Sequence, residues 1–228
     1  MSHFVLLPGA GGAGWIWHRV VPLLEQDGHT AVALDLPADD PEAGLSEYLE
    51  IGLAACAYED DLVVVGQSLG GFAAVLVADH LRTANRAPRE LVMFNAMVPL
   101  PGETPGAWWE AVGQQEAMRA AAVEGGWSTD FDLETHFSHD VDPDVWASGE
   151  SEQRDEAEIV FTTPCAIEAW PDVPTRVIAG ADDRFFPLAF QRRVARERLG
   201  LEVETVPGGH LAALSQPRAV ASALTRRT

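Results

Sequence analysis

Short apolar runs recur along the chain, and a turn-forming Gly, Pro, Asn or Asp follows each of them. Most of these runs are apolar on both faces. Parallel strands covered by helices on both sides have this character, so the pattern predicts six buried strands of a mostly parallel sheet. The predicted strands are Phe4–Leu7, Ala31–Leu34, Leu62–Val65, Leu91–Phe94, Arg176–Ala179 and Val203–Val206.

Helical patterns alternate with these strands. Some show apolar residues three and four positions apart, and others begin with small apolar residues or with a proline suited to a first turn. The alternation predicts an α/β doubly wound fold with a six-stranded sheet. The predicted helices are Trp15–Gln26, Ser46–Tyr58, Leu69–Arg82, Pro187–Leu199 and Gln216–Arg227.

One connection is much longer than the others. Roughly 80 residues separate the fourth and fifth predicted strands, whereas a whole βαβ unit takes roughly 30. Long insertions in compact domains are usually lids or binding loops, so we expect a mostly helical lid over about 102–168 of a single 1–228 domain. A subdomain without a functional role is the alternative. Five of the seven tryptophans lie in this connection: Trp108, Trp109, Trp127, Trp146 and Trp170.

The charge balance excludes several classes of function. The formal net charge is −20, and all 15 basic residues are arginine. Nucleic acids and anionic membrane surfaces need basic patches, so neither is an expected partner. Without lysine, Schiff-base chemistry on a side chain is excluded.

The location expected from the sequence is cytoplasmic. No apolar run approaches the ~20 residues of a membrane helix, and the first residues lack the pattern of a signal peptide. Two cysteines, Cys56 and Cys165, are too few for a disulfide framework. A homodimer is left open.

The strongest motif is Gly66-Gln67-Ser68-Leu69-Gly70, which follows a β-branched run and precedes a helical pattern. Gly-x-Ser-x-Gly between strand and helix predicts a nucleophile elbow, in which Ser68 projects above the sheet from a sharp turn. The N–H of Leu69, at the start of the helix, would face developing negative charge. A simple glycine-rich turn is the alternative.

A second glycine-rich loop follows the first strand at Pro8-Gly9-Ala10-Gly11-Gly12. An oxyanion hole needs a second backbone N–H, and Ala10 is the predicted donor. The stretch 9–14 also superficially resembles a nucleotide-binding loop. That alternative fits poorly, because only Asp35 is available near the second strand for a ribose contact.

An acid and a base complete the pattern after the last two strands. Asp183 is the predicted acid, with Asp182 as the alternative, and His210 is the predicted base. The order Ser, Asp, His matches that of nucleophile-elbow hydrolases. If the first and third strands are neighbours, all these groups meet where the strand order reverses.

Candidate substrate-binding residues come from the predicted lid: Trp108, Trp109, His136 and His139. The segment 136–142 also offers nitrogen and carboxylate ligands for a metal. However, Asp142-Pro143 is typical of a helix start, so we predict no metal and no other cofactor.

With these motifs together, the chain resembles the α/β-hydrolase superfamily over nearly its whole length. It is most similar to small esterases related to plant methylesterases and hydroxynitrile lyases. The segments that carry the resemblance are Leu7–Ala10 with Trp17, Gly66–Gly70, Asp183–Pro187, Gly209–Pro217 and His139–Pro143. The resemblance implies a serine hydrolase that cleaves an ester with no cofactor. The tryptophan-rich lid alone predicts that this ester is small, neutral and apolar or aromatic.

The chain also departs from its look-alikes. Pro8-Gly9 replaces the usual His-Gly, and Gln67 and Leu211 stand where hydroxynitrile lyases carry glutamate and lysine. Esterase is therefore favoured over lyase. Ser68 replaces the aspartate of dehalogenases and epoxide hydrolases, which excludes both. A thioesterase, a lactonase, a C–C bond hydrolase or lyase, or a ligand receptor that retains the triad remains an alternative.

Overall fold

A computed structural model describes residues 1–57, 60–152 and 154–226. Within these residues, six strands form one sheet in the order β2-β1-β3-β4-β5-β6, and every neighbouring pair is parallel. The predicted sheet is confirmed, and the described part has no antiparallel strand. The strands are β1 (His3–Leu7), β2 (Thr30–Ala33), β3 (Leu62–Gln67), β4 (Glu90–Phe94), β5 (Thr175–Gly180) and β6 (Val203–Val206).

The helices alternate with the strands as predicted, with one correction. The pattern over Trp15–Gln26 is not one helix but a 3-10 turn, Gly14–Trp17, followed by a separate helix, because Pro22 cannot donate the N–H that would continue the first turn. The predicted ends at Tyr58 and Arg227 lie outside the described residues. The helices of the sheet layers are α1 (Val21–Gln26), α2 (Leu45–Ala55), α3 (Gly70–Thr83), α8 (Leu188–Leu199), α9 (Ala212–Ser215) and α10 (Pro217–Thr225).

The insertion between β4 and β5 is helical. The start predicted at Asp142-Pro143 is confirmed, because Asp142 Oδ1 accepts from the N–H of Asp144 at 2.9 Å. No helix of the described residues has the length and apolar character that crossing a membrane requires. The insertion contains α4 (Pro105–Ala111), α5 (Gln114–Gly125), a π-helical turn (Glu134–Ser138), α6 (Pro143–Ser148), a 3-10 turn (Glu150–Glu152) and α7 (Glu158–Thr162).

Two apolar clusters cover the two faces of the sheet. Val64 points toward α2, α3 and α8 and packs with Phe72. Val63 and Val65 point the other way and pack with Leu24 of α1 and with α10. Successive strand side chains alternate between faces, so burial on both sides requires an apolar residue at nearly every position of β3.

The strand order reverses between β1 and β3, with β2 beyond β1. Connections leave the sheet in opposite directions at such a point, which opens a crevice at the carboxyl ends of the strands. Gly9 follows β1 and Ser68 follows β3 at this edge. The fold therefore brings the two predicted glycine motifs together.

The buried guanidinium of Arg176 joins β4, β5 and β6 near the ends of the strands that lie away from the crevice. Arg176 of β5 donates to both carboxylate oxygens of Glu204 at 2.6 and 2.8 Å and to Glu90 at 3.3 Å. Its guanidinium also donates to the carbonyl oxygens of Ala223 and Arg226. Burial raises the pKa of Glu90, which Arg176 opposes, and the hydrogen bond from Arg176 lowers the pKa of Glu204.

We predict that Arg176→Met destabilises the protein by about 3–5 kcal/mol, because the buried Glu90 carboxylate loses its partner. Urea unfolding measures the change. Arg196→Met is the control, since Arg196 pairs with Glu202 on the exposed surface and its loss should cost less than about 1 kcal/mol. Equal effects for the two variants would contradict a structural role for the buried network.

Candidate active site

Ser68 lies on a strained turn between β3 and α3. Its φ is 50°, in the left-handed region that non-glycine residues seldom adopt. A Cβ at Gly66 would lie 2.6 Å from the carbonyl oxygen of Gly70, and a Cβ at Gly70 would collide with the carbonyl oxygen of Pro8. The two glycines are therefore required by the close approach of the helix, as the motif predicts.

The three residues predicted as nucleophile, base and acid form one continuous chain of contacts. Ser68 Oγ lies 3.1 Å from His210 Nε2, and His210 Nδ1 lies 2.9 Å from Asp183 Oδ2. His210 is fully buried, and Asp183 is 4% exposed. An ionised carboxylate can only accept, so it places the proton on Nδ1 and leaves Nε2 free to accept from the serine hydroxyl.

The carboxylate of Asp183 is fixed by three further donors. Its Oδ1 accepts from the N–H groups of Phe185 and Phe186 at 2.9 and 2.8 Å, and its Oδ2 accepts from Gln191 Nε2 at 3.2 Å. The alternative acid, Asp182, is exposed, and its Oδ2 accepts from the N–H of Gly208 at 3.3 Å. Of the two aspartates, only Asp183 therefore faces the imidazole. No local pattern marked Gln191.

Asn95, at the end of β4, connects the loops around the site. Its Nδ2 donates to the carbonyl oxygens of Gly209 and His210 at 3.1 and 3.0 Å, and its Oδ1 accepts from the N–H of Gly180 at 2.7 Å. It is fully buried with φ at 43°. None of the predicted motifs includes Asn95. The available signal was an amide residue that tolerates left-handed backbone directly after a buried strand.

The insertion contributes a second clamp on the histidine loop. Asp140 Oδ2 accepts from the N–H of Gly209 at 2.8 Å and from Ser215 Oγ at 2.6 Å. His139 Nε2 donates to the carbonyl oxygen of Asp182 at 3.1 Å, and burial, assisted by Arg184, lowers the pKa of this imidazole. These contacts tie the insertion to the loops that carry Asp183 and His210.

Aromatic rings enclose the imidazole of His210. The ring centroids of Phe137, Phe185 and Phe186 lie 4.7, 5.2 and 5.0 Å from that of His210, each in an edge-to-face arrangement. Apolar rings cannot replace the hydrogen bonds to Ser68 and Asp183. The imidazole is therefore held in one orientation without competing partners.

A cavity of about 510 Å³ opens over Ser68. Trp109 lies in its wall, whereas Trp108, one position earlier on α4, is fully buried and donates from Nε1 to the carbonyl oxygen of Val98 at 3.1 Å. Among the described residues, Trp108, His136 and His139 do not line this cavity. Its aromatic wall is formed by Trp15, Trp109, Phe137, Trp146, Phe161 and Phe185.

His136, which is also a candidate metal ligand, does not line the cavity. It is fully buried, and its Nδ1 lies 3.0 Å from the carbonyl oxygen of Asp132. No group of three or more His, Cys, Asp or Glu side chains that could hold a metal ion occurs in the ranges 1–57, 60–152 and 154–226.

The predicted oxyanion donors, Ala10 and Leu69, both border the cavity beside Ser68. Within the described part of the chain, neither backbone N–H donates to a protein acceptor. A Cβ at Gly9 would lie 2.8 Å from Ser68 Cβ, so glycine is needed for the loop to approach Ser68. Two free N–H groups beside the hydroxyl could bind a negatively charged oxygen.

The insertion also holds the glycine loop. Glu156 Oε2 accepts from the N–H of Gly11 at 2.7 Å, and its Oε1 accepts from the hydroxyl of Tyr48. Burial raises the pKa of Glu156. Arg154 Nη2 donates to the carbonyl oxygen of Gly12 at 3.2 Å. The loop that carries Ala10 is therefore fixed by contacts that no sequence motif indicated.

A family model described as the alpha/beta hydrolase family matches residues 4–223. Three curated plant proteins match shorter stretches, which span about a third to a half of their length. Esterase PIR7B of Oryza sativa subsp. japonica is 35% identical over 135 residues, covering 54% of this chain and 47% of that protein. Norfluorocurarine synthase 1 of Strychnos nux-vomica is 37% identical over 90 residues, covering 35% and 34%. Methylesterase 9 of Arabidopsis thaliana is 34% identical over 90 residues, covering 35% of each.

Solved structures are similar to the chain over nearly its whole length. Polyneuridine aldehyde esterase has a TM-score of 0.80 with 21% identity and 98% coverage of both chains. A pyrethroid hydrolase from Sphingobium faniae JZ-2 has a TM-score of 0.75 with 23% identity, covering 98% of this chain and 95% of that one. At these identities the similarity shows a common fold.

We predict that Asn95→Ala destabilises the protein by roughly 3 kcal/mol or more, because three buried backbone groups lose their partner. Urea unfolding measures this loss. Asn85→Ala is the matched control: Asn85 also has a left-handed backbone, with φ at 56°, but it is exposed. That control should cost about 1 kcal/mol from backbone strain alone. A similar loss in both variants would show that the side-chain hydrogen bonds of Asn95 contribute little.

Proposed function

This chain belongs to the alpha/beta hydrolase family, and from that premise we propose that it is a serine esterase that cleaves a small, neutral, apolar or aromatic carboxylic ester. The observation that carries the proposal is the chain of contacts from Asp183 through His210 to Ser68, at 2.9 and 3.1 Å. Esterase names among the plant relatives support the same reaction class.

In the first half of the proposed reaction, Ser68 Oγ attacks the ester carbonyl carbon while His210 Nε2 takes the hydroxyl proton. The carbonyl oxygen becomes an oxyanion, which accepts hydrogen bonds from the N–H groups of Ala10 and Leu69. Asp183 stabilises the imidazolium. The tetrahedral intermediate then collapses, the C–O bond to the alcohol breaks, and His210 returns the proton to the leaving alkoxide.

In the second half, water enters and attacks the acyl carbon of the acyl-Ser68 ester. His210 takes a proton from this water, the oxyanion forms again, and the bond to Ser68 Oγ breaks. The histidine then protonates the serine oxygen, and the carboxylic acid leaves. No metal or organic cofactor takes part in these steps.

The proposed substrate class rests on the cavity. A volume of about 510 Å³ falls in the usual range for small-molecule sites, and aromatic rings form much of the wall. We propose that the predicted lid, 102–168 of a single domain, closes the substrate site, with Trp109 as its contact to the substrate. Trp109 borders the cavity together with Phe137, Trp146 and Phe161 of the same insertion.

We predict that Ser68→Ala lowers the turnover of p-nitrophenyl esters by roughly a thousandfold or more, because the nucleophile is lost. Steady-state release of p-nitrophenol measures the rate, and an unchanged melting temperature confirms the fold. Ser46→Ala, at an exposed position of α2, is the control and should keep the wild-type rate. Activity of Ser68→Ala within tenfold of wild type would exclude the proposed nucleophile.

We predict that Asp183→Asn lowers kcat by roughly 10⁴-fold. The N–H groups of Phe185 and Phe186 hold the oxygen at Oδ1, so the new amide nitrogen must face His210 Nδ1 and favour the wrong tautomer. Asp182→Asn removes the same charge from the exposed neighbour and should change kcat by less than about tenfold. The kcat of both variants should be compared, and substantial turnover by Asp183→Asn would assign the acid elsewhere.

A further inference from the structure

Gln67 is the last residue of β3 and directly precedes Ser68. It is 2% exposed, and it borders the same cavity as Gly9 and Ser68. A glutamine amide carries two N–H donors and an oxygen that accepts two hydrogen bonds. A polar group of this capacity, buried beside the nucleophile, needs a partner.

Within the described residues, the protein supplies no hydrogen-bond partner to either amide atom of Gln67. Neither atom belongs to the unpaired side-chain atoms that the protein encloses completely. The amide therefore keeps access to the cavity. Gln67 Oε1 lies 2.6 Å from the position that a Cβ at Gly9 would take, so the glycine leaves room for the amide at this wall.

The charged side chains that the structure describes in the cavity wall are Glu152, Arg154 and Asp155, and both carboxylates are exposed, unlike the buried amide of Gln67. Behind the wall, the amide of Asn95 and the carboxylate of Asp183 are occupied by hydrogen bonds within the protein. Arg154 donates to the carbonyl oxygen of Gly12. Aliphatic side chains form the wall near the nucleophile, namely Leu69, Met97, Leu211 and Leu214. Gln67 is thus an unused polar contact in an apolar part of the site.

We propose that Gln67 determines specificity by hydrogen bonding a hydroxyl group on the substrate carbon next to the scissile carbonyl, so that the preferred substrates are 2-hydroxy esters. This inference rests on the esterase function proposed above. The acyl carbon becomes attached to Ser68, so the substrate atoms nearest to it lie within reach of the adjacent Gln67. A hydroxyl donates to Oε1 or accepts from Nε2, and it carries no charge that the cavity would have to bury.

The test compares phenyl 2-hydroxypropanoate with phenyl propanoate, which differ only in that hydroxyl. The ratio of their kcat/KM values, divided by the ratio of their hydroxide-catalysed rates, measures recognition of the hydroxyl by the protein. We expect a ratio on the order of tenfold or more in the wild type, because a site built for a hydroxyl leaves its amide unpaired with the analogue. A corrected ratio near one would overturn the proposal.

The matched variants are Gln67→Leu and Gln67→Met, which keep the side-chain size but cannot form the hydrogen bonds. Both should lower the corrected ratio by about tenfold. Gln26→Leu, an exposed glutamine at the end of α1, is the control and should retain the wild-type ratio. A wild-type ratio in both Gln67 variants would overturn the proposal, and agreement between the two guards against misfolding of one.

A binding measurement separates this inference from the esterase function. In Ser68→Ala protein, which lacks the nucleophile, the Kd values of the two esters are measured by calorimetry with and without Gln67→Leu. Tighter binding of the hydroxy ester that Gln67→Leu abolishes supports recognition by Gln67, even if the wild type hydrolyses neither ester. Equal Kd values for the two esters would overturn the role of Gln67 and leave the esterase proposal to the kinetic data.

Discussion

The sharp turn at Ser68 is the constraint on which the site depends. Its left-handed backbone is held by the segment that follows β4, because its N–H donates to the carbonyl oxygen of Asn95 at 3.2 Å and its carbonyl oxygen accepts from the N–H of Met97 at 3.0 Å. Glycine at position 70 lets α3 begin against the carbonyl of Pro8. The strain of such a residue persists only where the surroundings fix it. At Ser68 these surroundings are the segments that follow β1 and β4, the two strands that flank β3.

Side chains replace missing backbone partners at the carboxyl edge of the sheet. Once parallel strands end, their loops leave N–H and carbonyl groups that still need hydrogen bonds when buried. Asn95 supplies three of these bonds, and Asp140 binds the N–H of Gly209. His210 therefore sits on a loop fixed at two points, which holds its imidazole between Ser68 and Asp183.

The helical insertion is integrated into the site at two places. Asp140 reaches the histidine loop, while Glu156 joins Tyr48 to the N–H of Gly11 in the loop opposite. Burial raises the pKa of Glu156, although its hydrogen bonds act the other way. The insertion thus fixes the loops that carry His210 and Ala10, besides forming part of the cavity wall.

The sequence by itself determined the sheet, the turn at Ser68 and the placement of an aspartate and a histidine at one edge, because each depends on local chemistry: apolar strands, glycine at a crowded turn, and residues placed directly after parallel strands. Only the structure showed that Asp183 and not Asp182 contacts His210. Nor did the sequence determine which insertion residues reach the cavity. Trp108 and Trp109 are adjacent on α4, about 100° apart around the helix, so only the packing of that helix decides which ring faces the cavity. The contacts of Asn95 likewise join residues far apart in the chain, and only the tertiary structure brings them together.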